Sequence, residues 1–382
     1  MKRKTIWIVS IVVIVILLCL AGLYFLYQIP VKEKVIKVSS QELSAVINMD
    51  VDFDSYRFFD GTNLELSGLS IRTPYPKSEY RAVNSHHVDW IYAQFSTVSI
   101  YNFDYYQLIK NNKFYASSIE VVGADIEVYR DKTLAEPPFK HKPLLASLIK
   151  KINAEIGVDT LFVKNSRVHY YEKTKFSDQP GILNFENLYA SGYNLTNHPE
   201  KLAADPNFTL DVQAQLLGEA LITTQVLFDL TSETDFFSLS AEVAPFQAEM
   251  LNQIIGGVLP VEIREGQFKG IQLEFTGNED RSSGLVDFEY EDMKFEFTDD
   301  GGSGIKSFIS NRALGLAIRK NNLKDKGNYR QGEVDFERRK DRFIFNYWWN
   351  SLKSGILNTM MSDAAKFLNL DEKAMENPGE EE

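Results

Sequence analysis

The sequence predicts a mainly β protein. An N-terminal transmembrane helix is followed by an elongated, curved antiparallel β-sheet, groove-like or sandwich, with a few short amphipathic helices. Three observations predict this. Apolar residues alternate with period two over long stretches, as on a strand with one buried face. A short unit recurs three times. Segments with helical spacing are few and short.

The recurring unit occupies Ile119–Tyr129, Leu161–Tyr171 and Val261–Ile271. Each copy has apolar residues at its first and third positions and again at its eighth. Between them it breaks at a small or turn-forming residue: Gly123-Ala124, Asn165-Ser166 or Gly266. Such a break marks a kink or bulge in a strand. The first two copies also end alike, in Tyr129-Arg-Asp-Lys-Thr133 and Tyr171-Glu-Lys-Thr174.

Taken in order, the chain opens with Lys2-Arg3-Lys4 and an apolar run of 22 residues, Ile6 to Tyr27. A helix needs ~20 residues to cross a bilayer core. A signal peptide has a shorter apolar region and a small-residue cleavage site. Leu23–Tyr27 offers no such site, and Cys19 follows Leu18 rather than the small residue of a lipoprotein signal. The run therefore reads as an uncleaved anchor. The basic residues before it predict a cytoplasmic N-terminus, although Lys32 and Lys34 weaken the asymmetry. Trp7, Tyr24 and Tyr27 suit interfacial rings. The expected division is a cytoplasmic tail at 1–5, the anchor at 6–27 and a stalk at 28–38.

A first β module is expected at 39–135. It starts with a capped helix (Ser39, Glu42), carries the alternating strand Ser96–Ile100 and a helical turn at Asp104–Lys110, and ends with the first repeat copy. Pro137-Pro138 and Pro143 mark a loop. A central module is expected at 144–300. Leu144, Leu145, Leu148, Ile149, Ile152 and Ile156 form a helical stripe ended by Gly157. Phe208–Leu216 and Phe237–Val243 alternate strictly. Pro245 begins a second helix (Phe246, Met250, Leu251, Ile254, Ile255, Val258), closed by Gly256-Gly257. Strands follow at Ile271–Phe275, Gly284–Tyr290 and Met293–Phe297, then a glycine link at Gly301–Gly304. The segment 305–370 reads as a hairpin (Glu333–Phe345) and helices, with Phe345, Trp348, Trp349, Leu352 and Ile356 as the last stripe. Residues 371–382 form an acidic tail without structure-forming signals.

Composition narrows the function. A net charge of −12 argues against nucleic acid as the main partner. The single cysteine lies in the anchor, so the exported part has no disulfide, no thiolate zinc site and no thiol nucleophile. A eukaryotic secretory domain of this size more often carries cysteine pairs, so a bacterial envelope is expected. Basic residues gather between Arg312 and Arg342, either as solvated strands or as a patch for acidic lipid or glycolipid head groups.

Catalytic motifs are lacking. His86 and His87 are adjacent and would point to opposite faces of a strand. His141, His169 and His198 have no metal-ligand spacing. Gly301–Gly304 lacks the lysine of a phosphate loop. Asp50-Val-Asp52 has the spacing of a metal and nucleotide-sugar site, which keeps a type II membrane glycosyltransferase as a distant alternative. It precedes no nucleotide-binding βαβ pattern and reads better as solvent-facing strand. Asn194-Leu-Thr196 and Asn207-Phe-Thr209 are glycosylation sequons, meaningful only in a eukaryotic secretory pathway.

Four passages together resemble the AsmA-like family of bacterial envelope proteins. They are the anchor running into β-rich sequence; Tyr105–Lys110 followed by the Ile119–Ile126 unit; the helix-then-strand passage Val243–Phe268; and the ending Phe343–Ile356. The resemblance covers most of residues 1–360 and is closest to short, poorly characterised members. It implies an inner-membrane, single-pass protein with its bulk in the periplasm. It also implies a role in outer-membrane lipid homeostasis or assembly, through non-covalent binding or transfer of phospholipid or glycolipid along an apolar β groove. No catalytic residue, metal or cofactor is implied. Phe208, Leu210, Val212, Phe237, Leu239, Phe288, Tyr290, Phe295 and Phe297 are then the candidate groove lining. The same residues would fill a closed core if the sheet folded on itself, the usual fate of alternating aromatics. Roughly fifteen strands at ~4.8 Å stack to about 70 Å, which makes a complete conduit between two membranes by one copy doubtful. A homo-oligomer, an envelope protein partner or a scaffolding role is the alternative, with Trp348 and Trp349 as candidate membrane or partner contacts.

Overall fold

The structure, a computed structural model, describes residues 49–297 and 318–362. The expected anchor, stalk, first helix, glycine link and acidic tail lie outside these residues. Among the described residues no helix is long and apolar enough to cross a membrane.

The first half supplies β1 (Asp50–Asp52), β2 (Ser55–Phe59), β3 (Asn63–Arg72), a short helix α1 (Tyr80–Val83), β4 (Trp90–Tyr101), α2 (Tyr105–Asn111) and β5 (Lys113–Asp131). After a crossover carrying α3 (Leu145–Lys150) come β6 (Glu155–Lys173), β7 (Gly181–Thr196), α4 (Pro199–Ala204), β8 (Asn207–Leu216), β9 (Ala220–Asp229) and β10 (Phe237–Val243). The remainder is β11 (Phe246–Gln247), α5 (Asn252–Val258), β12 (Val261–Gly277), β13 (Arg281–Phe297), β14 (Gly332–Glu337) and α6 (Ile344–Met360). All 14 strands join one sheet, in the order β1-β3-β4-β5-β6-β7-β8-β9-β10-β12-β13-β14, with β2 on β3 and β11 on β12. The fold is thus mainly β, built on a large curved sheet. The expected modules 39–135 and 144–300 share that sheet and one core running from Met49 to Met360.

Every pairing is antiparallel except β5 with β6. This exception explains the repeat. The first two copies lie side by side with like positions opposed: Ile119 with Leu161, Val121 with Val163, Ile126 with Val168 and Tyr129 with Tyr171. The breaks coincide as well. Gly123 and Asn165 both take positive φ, 65° and 50°, a region open to glycine and tolerated by asparagine. The two kinks are tied together, for Ser166 Oγ accepts a hydrogen bond from Ala124 N (3.1 Å) and donates one to Lys164 O (3.0 Å). The third copy lies apart in β12, and its break at Gly266 falls among the register shifts between β12 and β13.

Several local expectations change. The helix expected over 144–156 stops at Lys150. The chain must turn there to lay Glu155 beside Lys113. Asn112 and Asn197 side chains hold the turn by donating to Asn153 O (2.6 Å) and Ala154 O (2.8 Å). Gly157 lies inside β6, where it makes room for the Tyr115 ring. Phe246–Val258 is not one helix: a strand pair and a 3-10 turn (Ala248–Leu251) precede α5, which contains Gly256 and Gly257. The expected hairpin Glu333–Phe345 is a single strand, β14, followed by a turn into α6.

The large curved sheet is open, and twist brings distant strands together. Eight strand-to-strand steps separate β5 from β14. At about 20–25° each they sum to about half a turn. Opposite ends of the two strands therefore meet. The crossover loop after β5 touches the turn after β14, with Lys142 N donating to Lys340 O (2.7 Å). The β14 edge is covered as well, since Asp335 N donates to Ser354 Oγ (3.2 Å) and Glu333 N to Asn358 Oδ1 (3.4 Å), both from α6. Covering an edge this way blocks strand addition.

Candidate functional site

The alternating strands give the sheet an inner apolar face and an outer wet face. On the inner face Phe208, Phe228 and Phe237 lie in one cross-strand row, with centroids 6.0 Å apart at each step. Phe246, Phe268, Phe288 and Tyr290 form a second aromatic run at 4.8 Å per step. Short segments cap this face. Leu144, Leu145 and Ile149 of the α3 region are buried in it. Tyr347 of α6 meets Phe237 edge-on (5.8 Å), and Trp348 lies 6.3 Å from both Phe228 and Phe237. At the other mouth α5 rests on β7, where Gly257 and Gly181 meet backbone to backbone and Thr174 Oγ1 donates to Gly257 O (2.8 Å).

The expected open groove is therefore a closed core among the described residues. Phe208, Phe237, Leu239, Phe288 and Tyr290 are at most 5 % exposed. Leu210 and Phe295 are half-buried against the same core. Val212 is half-buried beside the outer trough described below, and the side chain of Phe297 lies outside the description. The physical reason is the caps: two short helices, α3 and α5, and the longer α6 pack over the inner side of the sheet. The two candidate contact tryptophans separate. Trp348 is half-buried against the core, whereas Trp349 is 56 % exposed.

Charged residues gather where the sheet ends meet. Arg130 grips Asp89 with two hydrogen bonds of 2.7 and 2.8 Å. Burial pulls its guanidinium down, but Asp89 and neighbouring Tyr170 and Glu172 outweigh burial and hold it above its ordinary value. Tyr170, pushed well up by burial, donates to Glu172 (2.5 Å). Glu136 joins His87 (3.3 Å) to Arg342. Arg338 binds Glu279 (2.5 Å) and Lys142 O. Lys142 is pushed down to about 8 by burial, its ammonium 3.8 Å from the Phe343 ring centre. The contacts of Glu136 with Arg342 and of Arg338 with Lys142 O fasten the crossover loop to the β14–α6 turn, while Arg338 Nε stays buried without a partner. They act as a clasp.

The outer face offers the open surface. Across β7 to β13 it forms a trough of about 860 Å³. Register builds it from two polar rows. One runs Tyr189, Gln213, Thr223, Glu242, Gln272, Asp287; the next runs Ser191, Asp211, Gln225, Ser240, Glu274, Leu285. Tyr189, Tyr193 and Leu285 are each more than 40 % exposed. Gln225 donates to Asp211 (2.7 Å) and Gln272 to Glu242 (3.2 Å). Burial would raise the Asp287 carboxyl, but Tyr329, Gln331 and Lys324 outweigh it and hold it low, so it is ionised. Four carboxylates against one lysine, Lys164, line the trough. Sequence reasoning followed the apolar positions and passed over this face. The signal available was the pair of tyrosines, Tyr189 and Tyr193, at wet positions of an alternating strand.

The remaining candidate positions have local partners. Asp50 and Asp52 point outward from β1; Asp50 faces Arg72 (3.5 Å) and Asp52 caps Phe53 N (3.0 Å). His141 pairs with Glu279 (2.5 Å), His169 bonds Asn184 (3.0 Å) and His198 caps α4. Among the described residues no group of three His, Cys, Asp or Glu side chains could hold a metal ion. No family model matches the chain, and no curated protein matches it.

Proposed function

We propose that this is a membrane-anchored protein of the bacterial envelope, AsmA-like in type, that serves outer-membrane lipid homeostasis or assembly by surface contact and performs no covalent chemistry. The observation that carries this reading is the disposition of the two faces. The apolar face is packed and capped, while the wet face is open and carries the trough. Its acidity repels anionic phospholipid head groups and suits an uncharged, hydroxyl-rich one, whose hydroxyls would meet carboxylates and amides and whose ring faces would meet Tyr189 and Tyr193. A glycolipid head group is the ligand class that fits. Docking of an envelope protein in the same trough is the second reading, favoured by its open, shallow form.

The test is native mass spectrometry of the gently extracted full chain beside a variant carrying Asp211→Lys and Glu274→Lys. Both substitutions lie at solvent-facing strand positions. The expected result is a glycolipid adduct on the parent and none on the variant, with equal melting temperatures. An acyl lipid retained equally by both would place the ligand elsewhere and overturn the trough.

A further inference from the structure

At the clasp three large aromatic side chains face solvent. Phe139 is 72 % exposed, Trp349 56 % and Phe345 41 %. Phe345 and Trp349 are one turn apart on α6, and Phe345 packs edge-on against Trp348 (5.2 Å). Phe139 lies in the crossover loop between Glu136 and Lys142, both of which are fastened to the β14–α6 turn. Pro137, Pro138 and Pro143 bracket it, and proline stiffens the segment that presents the ring. The aromatics are thus held in place on one corner.

The surrounding charge is unlike the rest of the chain. Segments 136–143 and 338–353 hold seven lysines and arginines against two acids, Glu136 and Asp341, a net of +5 in a chain of net −12. Glu279 and Asp280, paired with Arg338 and Lys340, reduce this to +3. Exposed rings amid basic side chains are the composition of a surface that seats in the head-group layer of an anionic bilayer. The direction also fits. The chain enters the sheet at Asp50, which pairs with Arg72, which pairs with Tyr92. That is the end of the sheet bearing His87 and Asp89, and His87 contacts Glu136 of the crossover loop. The first described residues, Met49 and Asp50, therefore lie at the same end of the sheet as this patch.

We propose that Phe139, Phe345 and Trp349, with Lys353, form a docking surface for an anionic phospholipid bilayer, laying the sheet against the membrane that holds the N-terminal run. The proposal rests on the membrane-anchored reading above and is independent of the trough. It gives the sheet a fixed tilt: one corner sits in the head groups while the acidic trough is left free.

The test replaces Phe139 with the photo-crosslinker benzoylphenylalanine in the full chain, reconstituted into vesicles of phosphatidylcholine alone or mixed with phosphatidylglycerol. Vesicles are floated before analysis. The expected result is lipid adducts in the mixed vesicles, with yield falling about fivefold for Lys353→Glu at unchanged melting temperature. A chain that floats yet gives no adduct overturns the patch and leaves the anchor standing. A chain that does not float with either vesicle overturns both. If crosslinking in cells yields protein adducts in place of lipid, the surface belongs to a protein partner and the proposal fails.

Discussion

Replacing Gly257 by alanine is predicted to loosen the cap that α5 places on the inner face. A Cβ there would fall 2.7 Å from Pro180 C and nearer still to Gly181 N and Cα. These are backbone atoms at the start of β7 and just before it, and they cannot rotate away. The helix must retreat by about 1 Å, and overpacking of this kind costs ~1–3 kcal/mol. The retreat also strains the hydrogen bond from Thr174 Oγ1 to Gly257 O, worth about 1 kcal/mol. The higher helix propensity of alanine returns up to ~1 kcal/mol. The net is a loss of about 1–3 kcal/mol. Gly256 supplies an internal control one residue away. Nothing lies within 4 Å of its Cβ direction, so Gly256→Ala should gain about 0.5–1 kcal/mol. Urea unfolding of the full chain in fixed detergent reads both values, and binding of a hydrophobic dye should rise only for Gly257→Ala. Equal stabilities for the two variants would refute the close seating of α5 and the sealed mouth with it.

Four further outcomes are expected. Asp89→Asn removes the nearest charge partner of the half-buried Arg130 guanidinium, leaving Glu172, and should cost ~1–3 kcal/mol, read as a lowered urea midpoint. Phe288→Ala opens a void beside Phe268 and Tyr290 and should cost ~3–5 kcal/mol, with Phe288→Asp failing to fold; a folded Phe288→Asp chain that merely sheds lipid would favour a groove. Burial holds the His87 pKa below its ordinary 6.5, so above that pH both folded and unfolded states are neutral there. Below it the unfolded chain takes up the proton first, and stability falls as pH drops towards the folded value; His87→Gln should flatten the stability profile in that window. Removing Ser354 and Asn358 together as alanines uncovers the β14 backbone and should produce concentration-dependent association, visible by sedimentation velocity.

Much of the sheet was legible because alternation depends only on which side of a strand is wet. Phe208–Leu216 and Phe237–Val243 fall where period two puts them, and Gly123 and Asn165 kink where the repeat breaks. Helix ends were less legible, since tertiary demands set them: Glu155 must reach Lys113, so a stripe running on to Ile156 stops at Lys150. The packed face of α6 was hidden for another reason. It carries Ser351, Gly355 and Thr359, small residues that allow close approach to Val286 and Gly332. An apolar stripe through Phe345 and Trp349 points the other way. The trough and the clasp depend on register between strands far apart in sequence. Asp211 meets Gln225, Ser240 and Glu274 only after four strands have paired, and Arg338 reaches Lys142 only once the crossover loop and the β14–α6 turn have come together.

The most direct test of the sealed inner face uses two neighbouring residues of β13. Leu285 faces out at 45 % exposure and Val286 faces in at 0 %. Each is replaced singly by cysteine in a Cys19→Ser background, which removes the only native thiol. The account predicts rapid maleimide labelling at position 285 and protection at 286 until the chain is unfolded. Labelling of the native chain at 286 as fast as at 285 would contradict it, and would return the inner face to an open groove.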